Sequence, residues 1–200
     1  MEPVEEEEER LAVVAARYPL TDTMRTVGGR GWTLTSVQDQ DALISGVQTE
    51  ADLTQFPYGL LLWDSAVGLA ERLAAEPKLV RGKRVLELGA GVGLPGLVAQ
   101  TLGARKVTQT DYQEAALALA RRNARQNGVG GICCRLADWR RFPDNLLAEP
   151  FDLVLGADVG YRFDCVGVCC VRVLPLAGLA AGTSTDHTAN GHSDCLWLRQ

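Results

Sequence analysis

Two hydrophobic periodicities alternate along the middle of the chain. Short β-prone or leucine-rich runs typical of strands are RVLEL, KVTQTD, ICCRLAD and FDLVLGAD. Between them, LPGLVAQTLG and YQEAALALARRNARQNG carry apolar residues at helical spacing. Alternation of strands and helices at this spacing predicts right-handed βαβ units and a parallel sheet. We therefore predict an α/β fold, Rossmann-like and doubly wound, with a mostly parallel sheet across residues 56–161.

The segment ahead of this core has weaker signals. A run of glutamates opens residues 1–20 and predicts disorder up to residue 10, followed by a short helix in RLAVVAARYPL. In residues 21–55, GRGWTLTSVQD and DALISGV predict two short strands of a small β extension. LLWDSAVGLAERLAAEP then has apolar residues at helical spacing, and we expect Asp64 or Ser65 to cap that helix.

Four glycines follow the first core strand within eight residues, in LGAGVGLPG. Ligands of doubly wound sheets bind beyond the carboxyl ends of the strands, and glycine permits a tight turn and the close approach of a ligand. Gly91 begins a G-x-G-x-x-G pattern, and Asp111 follows 20 residues later, at the spacing of a ribose-binding carboxylate. These features fit a nicotinamide dinucleotide and S-adenosylmethionine equally well.

Acidic residues near the strand ends distinguish the two ligands. Glu87 lies two positions before the first glycine, where a carboxylate suits a cationic sulfonium with an amino-acid tail better than a pyrophosphate. Asp138 follows the third core strand and could accept a hydrogen bond from an adenine amine, while Trp139 offers an apolar wall. Together with Asp111, these acidic groups favour a positively charged ligand.

Composition excludes several other classes of function. A net charge of −5 and a pI near 5.1 argue against a general binder of nucleic-acid backbones. No apolar run approaches the roughly 18 residues of a membrane span, and MEPVEEEEER does not resemble a secretion signal. We therefore expect a cytoplasmic protein, with the nucleus as an alternative, and neither membrane nor nucleic-acid partners. The cysteines match no zinc spacing, so we predict no metal site.

Several strings together resemble a known family. VLELGAGVGLPG, TDY, ADW and DLVLGADVGY are similar to the seven-β-strand S-adenosylmethionine-dependent methyltransferases, and more narrowly to family 16, mostly protein-lysine methyltransferases. GLLLWDSAVGLAERL resembles the helix that precedes the core of that family. The resemblance covers residues 59–161, about half the chain. It implies S-adenosylmethionine as cofactor and N-methylation of lysine on a protein substrate.

The predicted cofactor-binding residues are one tryptophan ahead of the core and a set near the strand ends: Trp63, Glu87, Gly89, Ala90, Gly91, Asp111, Asp138, Trp139 and Ala157. The resemblance implies that Asp111 holds the ribose hydroxyls and that Asp138 and Trp139 border the adenine. Asp158 and Tyr161 match the D-x-x-Y motif of the family and are the predicted catalytic residues. Since methyl transfer mainly requires positioning, we expect Asp158 to orient the acceptor ammonium rather than to act as an obligate base.

The sequence changes character after residue 161. Within residues 162–200, VGVCCVRVLPL could supply one strand, and the rest, rich in Gly, Ser, Thr, Asn and His, predicts loop or disorder. We expect a sheet that is incomplete on its C-terminal side and an ending foreign to the family, as from an alternative transcript or a shifted frame. This leaves two alternatives open, a methyltransferase for a small amine and a catalytically impaired module that binds cofactor or partner.

Overall fold

Five parallel strands form the main sheet in a computed structural model that describes residues 4–39, 41, 43, 56–138, 143–147, 150–157 and 194–198. In chain order the elements are α1 (Val4–Arg17), β1 (Leu20–Val27), β2 (Arg30–Val37), α2 (Asp64–Ala75), β3 (Arg84–Leu88), α3 (Leu94–Thr101), β4 (Lys106–Asp111), α4 (Glu114–Gln126), β5 (Ile132–Leu136), α5 (Asp144–Leu147), β6 (Leu153–Ala157) and β7 (Asp194–Leu198). The strand order β5-β4-β3-β6-β7 is the one expected of a Rossmann-like sheet, so the predicted fold class is confirmed.

The central strands β3 and β6 are buried on both faces. Leu153, Val154 and Leu155 are consecutive and all almost fully buried, as in parallel strands covered on two sides. One face packs on α2 and α3, and the residues of this core include Val27, Trp32, Leu69, Leu73, Val85, Leu94, Leu97, Val107, Leu153 and Leu155. Parallel pairing of β3 with β4 and with β6 brings the carboxyl ends of these three strands together at one edge of the sheet.

The acidic N-terminus is helical, and the prediction of disorder up to residue 10 is wrong for the described residues. Helix α1 begins at Val4, with three glutamates in its first turn, where the helix dipole favours negative charge. Glu7 is buried against α4, with Arg125 Nη1 at 2.7 Å and Arg121 Nε at 3.3 Å from its Oε2. Partners distant in sequence therefore relieve the repulsion that the glutamate run suggested.

The predicted β extension is a hairpin, but its two strands are not the predicted pair. GRGWTLTSVQD contains β2, which pairs antiparallel with β1 from Leu20↔Val37 to Val27↔Arg30. DALISGV was the other predicted strand, but its described residues Asp41 and Leu43 are helical, and the rest of it lies outside the described residues. Strand β1 escaped prediction because only Val27 in it is buried, so it has no apolar alternation.

Side-chain amides of Asn123 in α4 and of Asn127, the C-cap of that helix, pair with the outer edge of β2. Asn127 donates from Nδ2 to Thr33 O at 2.7 Å and accepts from Thr33 N at 3.0 Å. Asn123 makes the same pair of bonds with Thr35, accepting at 2.7 Å and donating at 3.2 Å. The Asn123 amide also donates to Val92 O at 2.9 Å, so it links the hairpin to the loop after β3.

One helix cap and one strand also differ from the predictions. Helix α2 has Trp63 as its N-cap with no capping side chain, so Asp64 and Ser65 are helical residues rather than the cap. Strand β7, Asp194–Leu198, pairs parallel with β6 in a segment predicted as loop or disorder. Its sequence is too short to show a period, so pairing along β6 decides its conformation. The candidate strand VGVCCVRVLPL lies outside the described residues.

The buried position of Glu7 predicts a large effect of a small substitution. Glu7→Gln removes the charge that compensates Arg121 and Arg125, so we expect the free energy of unfolding to fall by about 1–3 kcal/mol. Glu8→Gln is the matched control, since the Glu8 side chain is 52% exposed and its contacts with Arg122 and Arg125 are longer, at 3.7 Å and 3.3 Å. Urea denaturation of both variants measures the difference, and equal losses would contradict the structural role of Glu7.

Candidate cofactor site

A cavity of about 310 Å³ opens at the carboxyl ends of β3, β4 and β6. Pockets at this end of a parallel sheet are the usual ligand sites of Rossmann-like folds. The lining combines the loop after β3, the end of β4 and the segment before α2: Tyr58, Gly59, Leu61, Trp63, Ala66, Glu87, Gly89, Ala90, Gly91, Val92, Pro95, Asp111, Tyr112 and Ala157. Seven of the predicted cofactor-binding residues therefore share one cavity.

The loop from Gly89 to Gly93 turns back on itself through left-handed backbone. Gly89, Gly91 and Gly93 have φ angles of +59°, +53° and +88°, a region that residues with a Cβ rarely adopt. Ala90 N donates to Thr110 O at 2.9 Å, which attaches the loop to the end of β4. The glycines are thus required first by the turn itself.

Much of what approaches these glycines is the protein itself. A Cβ on Gly91 would lie 3.3 Å from Gly59 O, and a Cβ on Gly93 would lie 2.9 Å from Ala120 Cβ. A Cβ on Gly96 would overlap the side chains of Gln109 and Glu87. The reading of the glycine run as room for a ligand is therefore incomplete, and for Gly93 and Gly96 the close neighbours are packed side chains.

Asp111 is held rigidly at the end of β4. Its Oδ2 accepts a hydrogen bond from Gly91 N and its Oδ1 accepts one from Gln113 N, both at 3.0 Å. The residue is only 3% exposed. Burial raises the pKa of this carboxyl, and the hydrogen bonds from the backbone of Gln113, Gly91 and Tyr112 oppose that rise.

Glu87 is a second buried carboxyl on the same cavity. Burial raises its pKa to about 8, and the nearby Asp111 adds to the rise. Hydrogen bonds from Gln109 and from the backbone of Gly96 act in the opposite direction, and Gln109 Nε2 lies 2.7 Å from Glu87 Oε2. A cation entering the cavity would favour ionised Glu87, because the opposite charge replaces the lost hydration.

Aromatic rings supply the apolar part of the lining. Trp63 Nε1 donates to Tyr58 O at 2.9 Å, and the two rings lie 6.2 Å apart. Tyr112 OH donates to Phe56 O at 3.0 Å. Trp63 was predicted, whereas Tyr58, Gly59 and Tyr112 were missed, although Tyr112 directly follows Asp111 at a strand end. The segment before α2 carries no periodicity that would place it over the sheet.

Four further residues were predicted for the site. Asp138 is half-buried just beyond β5 and does not line the cavity, although Ala137 N donates to Asp111 O at 2.8 Å nearby. Trp139, Asp158 and Tyr161 lie outside the described residues. Ala157, at the end of β6, lines the cavity, and its predicted contact with the cofactor stays a prediction.

Comparison with known proteins identifies the family. Residues 45–174 match the lysine methyltransferase family. The chain belongs to this family. Membership confirms S-adenosylmethionine as the cofactor predicted from the sequence. Among the described residues, no helix is long and apolar enough to cross a bilayer.

Curated relatives are similar over part of this chain. Histone-arginine methyltransferase METTL23 of Xenopus laevis is 41% identical over 108 residues, 52% of this chain and 46% of that protein. Protein N-lysine methyltransferase METTL21A of Xenopus tropicalis is 33% identical over 119 residues, 58% of this chain and 54% of that protein. Protein N-terminal and lysine N-methyltransferase EFM7 of Eremothecium gossypii is 55% identical over 60 residues, 30% of this chain and 23% of that protein. The chain thus spans about half, or less, of the length of these relatives.

Solved methyltransferase structures are similar at lower identity. The tRNA (uracil-54, C5)-methyltransferase of Pyrococcus abyssi is 21% identical with a TM-score of 0.46, covering 76% of this chain and 32% of that chain. Protein arginine methyltransferase 10 of Arabidopsis thaliana is 22% identical with a TM-score of 0.45, covering 52% of this chain and 31% of that chain.

The raised pKa of Glu87 predicts a pH dependence of stability. A glutamate titrates near 4.5 when unfolded but at about 8 in this site. The folded state therefore binds more protons between these values, and the free energy of unfolding falls as pH rises through that range. Glu87→Gln removes this contribution, so the unfolding free energy of the variant should fall less as pH rises. The raised pKa of Asp111 should account for part of the remaining decrease.

Urea denaturation between about pH 5 and about pH 8 measures that slope for the wild type and for Glu87→Gln. The exposed Glu9 provides the control, because Glu9→Gln should keep the slope of the wild type. A wild type and a Glu87→Gln variant with the same slope would show that Glu87 titrates normally in the folded protein.

Proposed function

We propose that this protein transfers a methyl group from S-adenosylmethionine to a nitrogen on a protein substrate, with lysine as the acceptor. The observation that carries the proposal is a glycine-lined cavity with two buried carboxyls, Glu87 and Asp111, in a chain of the lysine methyltransferase family. Because the chain spans about half the length of its curated relatives, activity and substrate are proposals for this chain.

The cavity residues fit this cofactor chemically. Glu87 supplies a carboxyl group that becomes anionic when a positively charged ligand enters, and Asp111 supplies fixed acceptors for ribose hydroxyls. The rings of Tyr58, Trp63 and Tyr112 offer apolar surface for the base. When bound, the cofactor supplies an electrophilic methyl group on a positively charged sulfur.

The contribution of the chain to the reaction is positioning and exclusion of water. The acceptor amine must be neutral, and a free lysine has a pKa of about 10.4, so it loses a proton on or before entry. Burial of the amine beside an apolar wall lowers its pKa and assists this loss. We propose that Asp158 orients the incoming ammonium and that Tyr161 borders the acceptor entrance, as the resemblance implies.

The names of the relatives support a protein acceptor and leave two side chains in competition. METTL21A of Xenopus tropicalis and EFM7 of Eremothecium gossypii are named as lysine methyltransferases, whereas METTL23 of Xenopus laevis is named as a histone-arginine methyltransferase. The family description favours lysine. Arginine is the second candidate, because the METTL23 match is 41% identical over 108 residues.

Cofactor binding is the first expectation to test. Calorimetric titration of the 200-residue chain should detect binding of S-adenosylmethionine and none of NAD. Asp111→Ala should weaken binding by about tenfold or more, roughly 1.4 kcal/mol, because it removes two fixed acceptors at the cavity. Asp144→Ala, at an exposed position on α5, is the control and should bind like the wild type. Binding of NAD in place of S-adenosylmethionine would instead favour an oxidoreductase.

The state of Glu87 adds a pH test. At neutral pH its carboxyl is largely protonated, since its pKa is about 8, and a bound cation should expel that proton. Affinity should therefore rise between about pH 6 and about pH 7, a range in which the ligand amine remains mostly protonated. Titration in two buffers of different ionisation enthalpy measures the released proton. Glu87→Gln should bind with less proton release, and equal release would contradict the assignment.

Methyl transfer itself requires a substrate screen. The purified chain and cofactor with a labelled methyl group are incubated with cell extract, and hydrolysed protein is analysed for methyl-lysine and methyl-arginine. Methyl-lysine supports the proposal, methyl-arginine supports the second candidate, and label only in small molecules supports a small-amine methyltransferase. Cofactor binding without any transfer would favour a catalytically impaired module. Imaging of the tagged chain would test the proposed cytoplasmic location against the nucleus.

A further inference from the structure

A row of polar side chains crosses three adjacent strands beneath the glycine loop. Glu87 on β3 is in register with Gln109 on β4, and Gln109 is in register with Cys134 on β5. Neighbours in register on a sheet point to the same face, so the three side chains can contact one another. Gln109 is fully buried and does not line the cavity, whereas Glu87 does.

The two ends of the Gln109 amide have different partners. Its Nε2 donates to Glu87 Oε2 at 2.7 Å and to Gly93 O at 2.8 Å, while Cys134 Sγ lies 3.8 Å from its Oε1. Because a carboxylate and a carbonyl oxygen both need a donor, the amide nitrogen has to face them. One buried nitrogen therefore holds both the acidic group of the cavity and the loop that forms its wall.

Two glycines pack closely against this amide. A Cβ on Gly93 would lie 3.0 Å from Gln109 Nε2, and one on Gly96 would overlap the same nitrogen. Gly93 and Gly96, the second and third glycines of the G-x-G-x-x-G pattern, thus make room for Gln109. A buried polar group with all its partners in place is rigid, and removing this amide takes one hydrogen bond from each of two buried acceptors. Glu87 then keeps only the backbone of Gly96 among the partners described above, and Gly93 O keeps Leu97 N at 3.1 Å.

We propose that Gln109 is a positioning residue for cofactor binding, which acts from outside the cavity by fixing the Glu87 carboxylate and the Gly93 carbonyl. This inference rests on the proposed function, since the bound molecule is S-adenosylmethionine. Without the amide, Glu87 loses the hydrogen bond that favours its ionised form. The loop at Gly93 loses one of its attachments to β4 at the same time, while the hydrogen bond from Ala90 N to Thr110 O remains. Both changes weaken the binding of a cation.

The test is a double-mutant cycle measured by calorimetric titration with S-adenosylmethionine. Gln109→Met has similar length and lacks both N–H groups, and we expect it to bind about tenfold more weakly than the wild type. In a Glu87→Gln background the same change should cost clearly less, because its main target is gone. A purely structural role of Gln109 predicts equal losses in both backgrounds, and that result would overturn the proposal.

Thr108→Val is the matched control on the same strand. Thr108 is buried beside Gln109 in sequence, and its hydroxyl has no hydrogen-bond partner among the described residues. This variant should bind S-adenosylmethionine like the wild type. Thermal unfolding without ligand verifies that each variant folds. If Gln109→Met fails to unfold cooperatively, Gln109→Glu replaces it, since it keeps the shape and at most one of the two donors.

The outcomes distinguish a failure of the proposed Gln109 role from a failure of the proposed function. Wild-type binding with unchanged affinity in the Gln109 variant would overturn the inference and leave the proposed function intact. A folded wild type that does not bind S-adenosylmethionine would overturn the proposed function and the inference together. Three results together would support the positioning role. Gln109→Met binds more weakly than the wild type, the same substitution costs less affinity in the Glu87→Gln background, and Thr108→Val binds like the wild type.

Discussion

The burial of two carboxyl groups beside one cavity is the constraint on which the site depends. Glu87 and Asp111 are each 3% exposed, and burial raises the pKa of both. Such groups persist only where hydrogen bonds replace their lost hydration. Here the donors are the backbone of Gly91 and Gln113 for Asp111, and the amide of Gln109 for Glu87. The glycine loop therefore serves the protein's own carboxyls as well as a ligand.

The N-terminal part of the chain stabilises this arrangement from the other side of α4. Asn123 pairs with the edge of β2 and donates to Val92 O in the glycine loop. Leu11 and Val14 of α1 belong to the same apolar cluster as Leu61 and Val92, which line the cavity. The segment before α2 thus packs between an N-terminal helix and the loop after β3. Elements far apart in sequence meet at the cofactor site, which explains why no local pattern predicted the segment.

Much of the fold could be predicted because its strands and helices have strong local patterns. The strand predictions for RVLEL, KVTQTD, ICCRLAD and FDLVLGAD all overlap observed strands. The predictions failed where burial depends on distant partners. Helix α1 is held by Glu7 against Arg121 and Arg125, strand β1 is nearly all surface, and β7 is fixed by its pairing with β6. Within the site, Glu87 and Asp111 could be predicted because they lie at the ends of predicted strands. Tyr58 and Gly59 could not, because the segment before α2 has no local pattern that places it at the cavity.

By itself the sequence determined the parallel α/β core, the turn through the glycine loop and the acidic character of the cavity. These follow from local periodicity, from positive φ angles that only glycine adopts readily, and from side chains placed where strands end. Only the tertiary structure decided which atoms approach the glycines and how the carboxyls are paired. Gln109, Gly93 and Gly96 meet through sheet register and helix packing, which join residues that no sequence spacing relates.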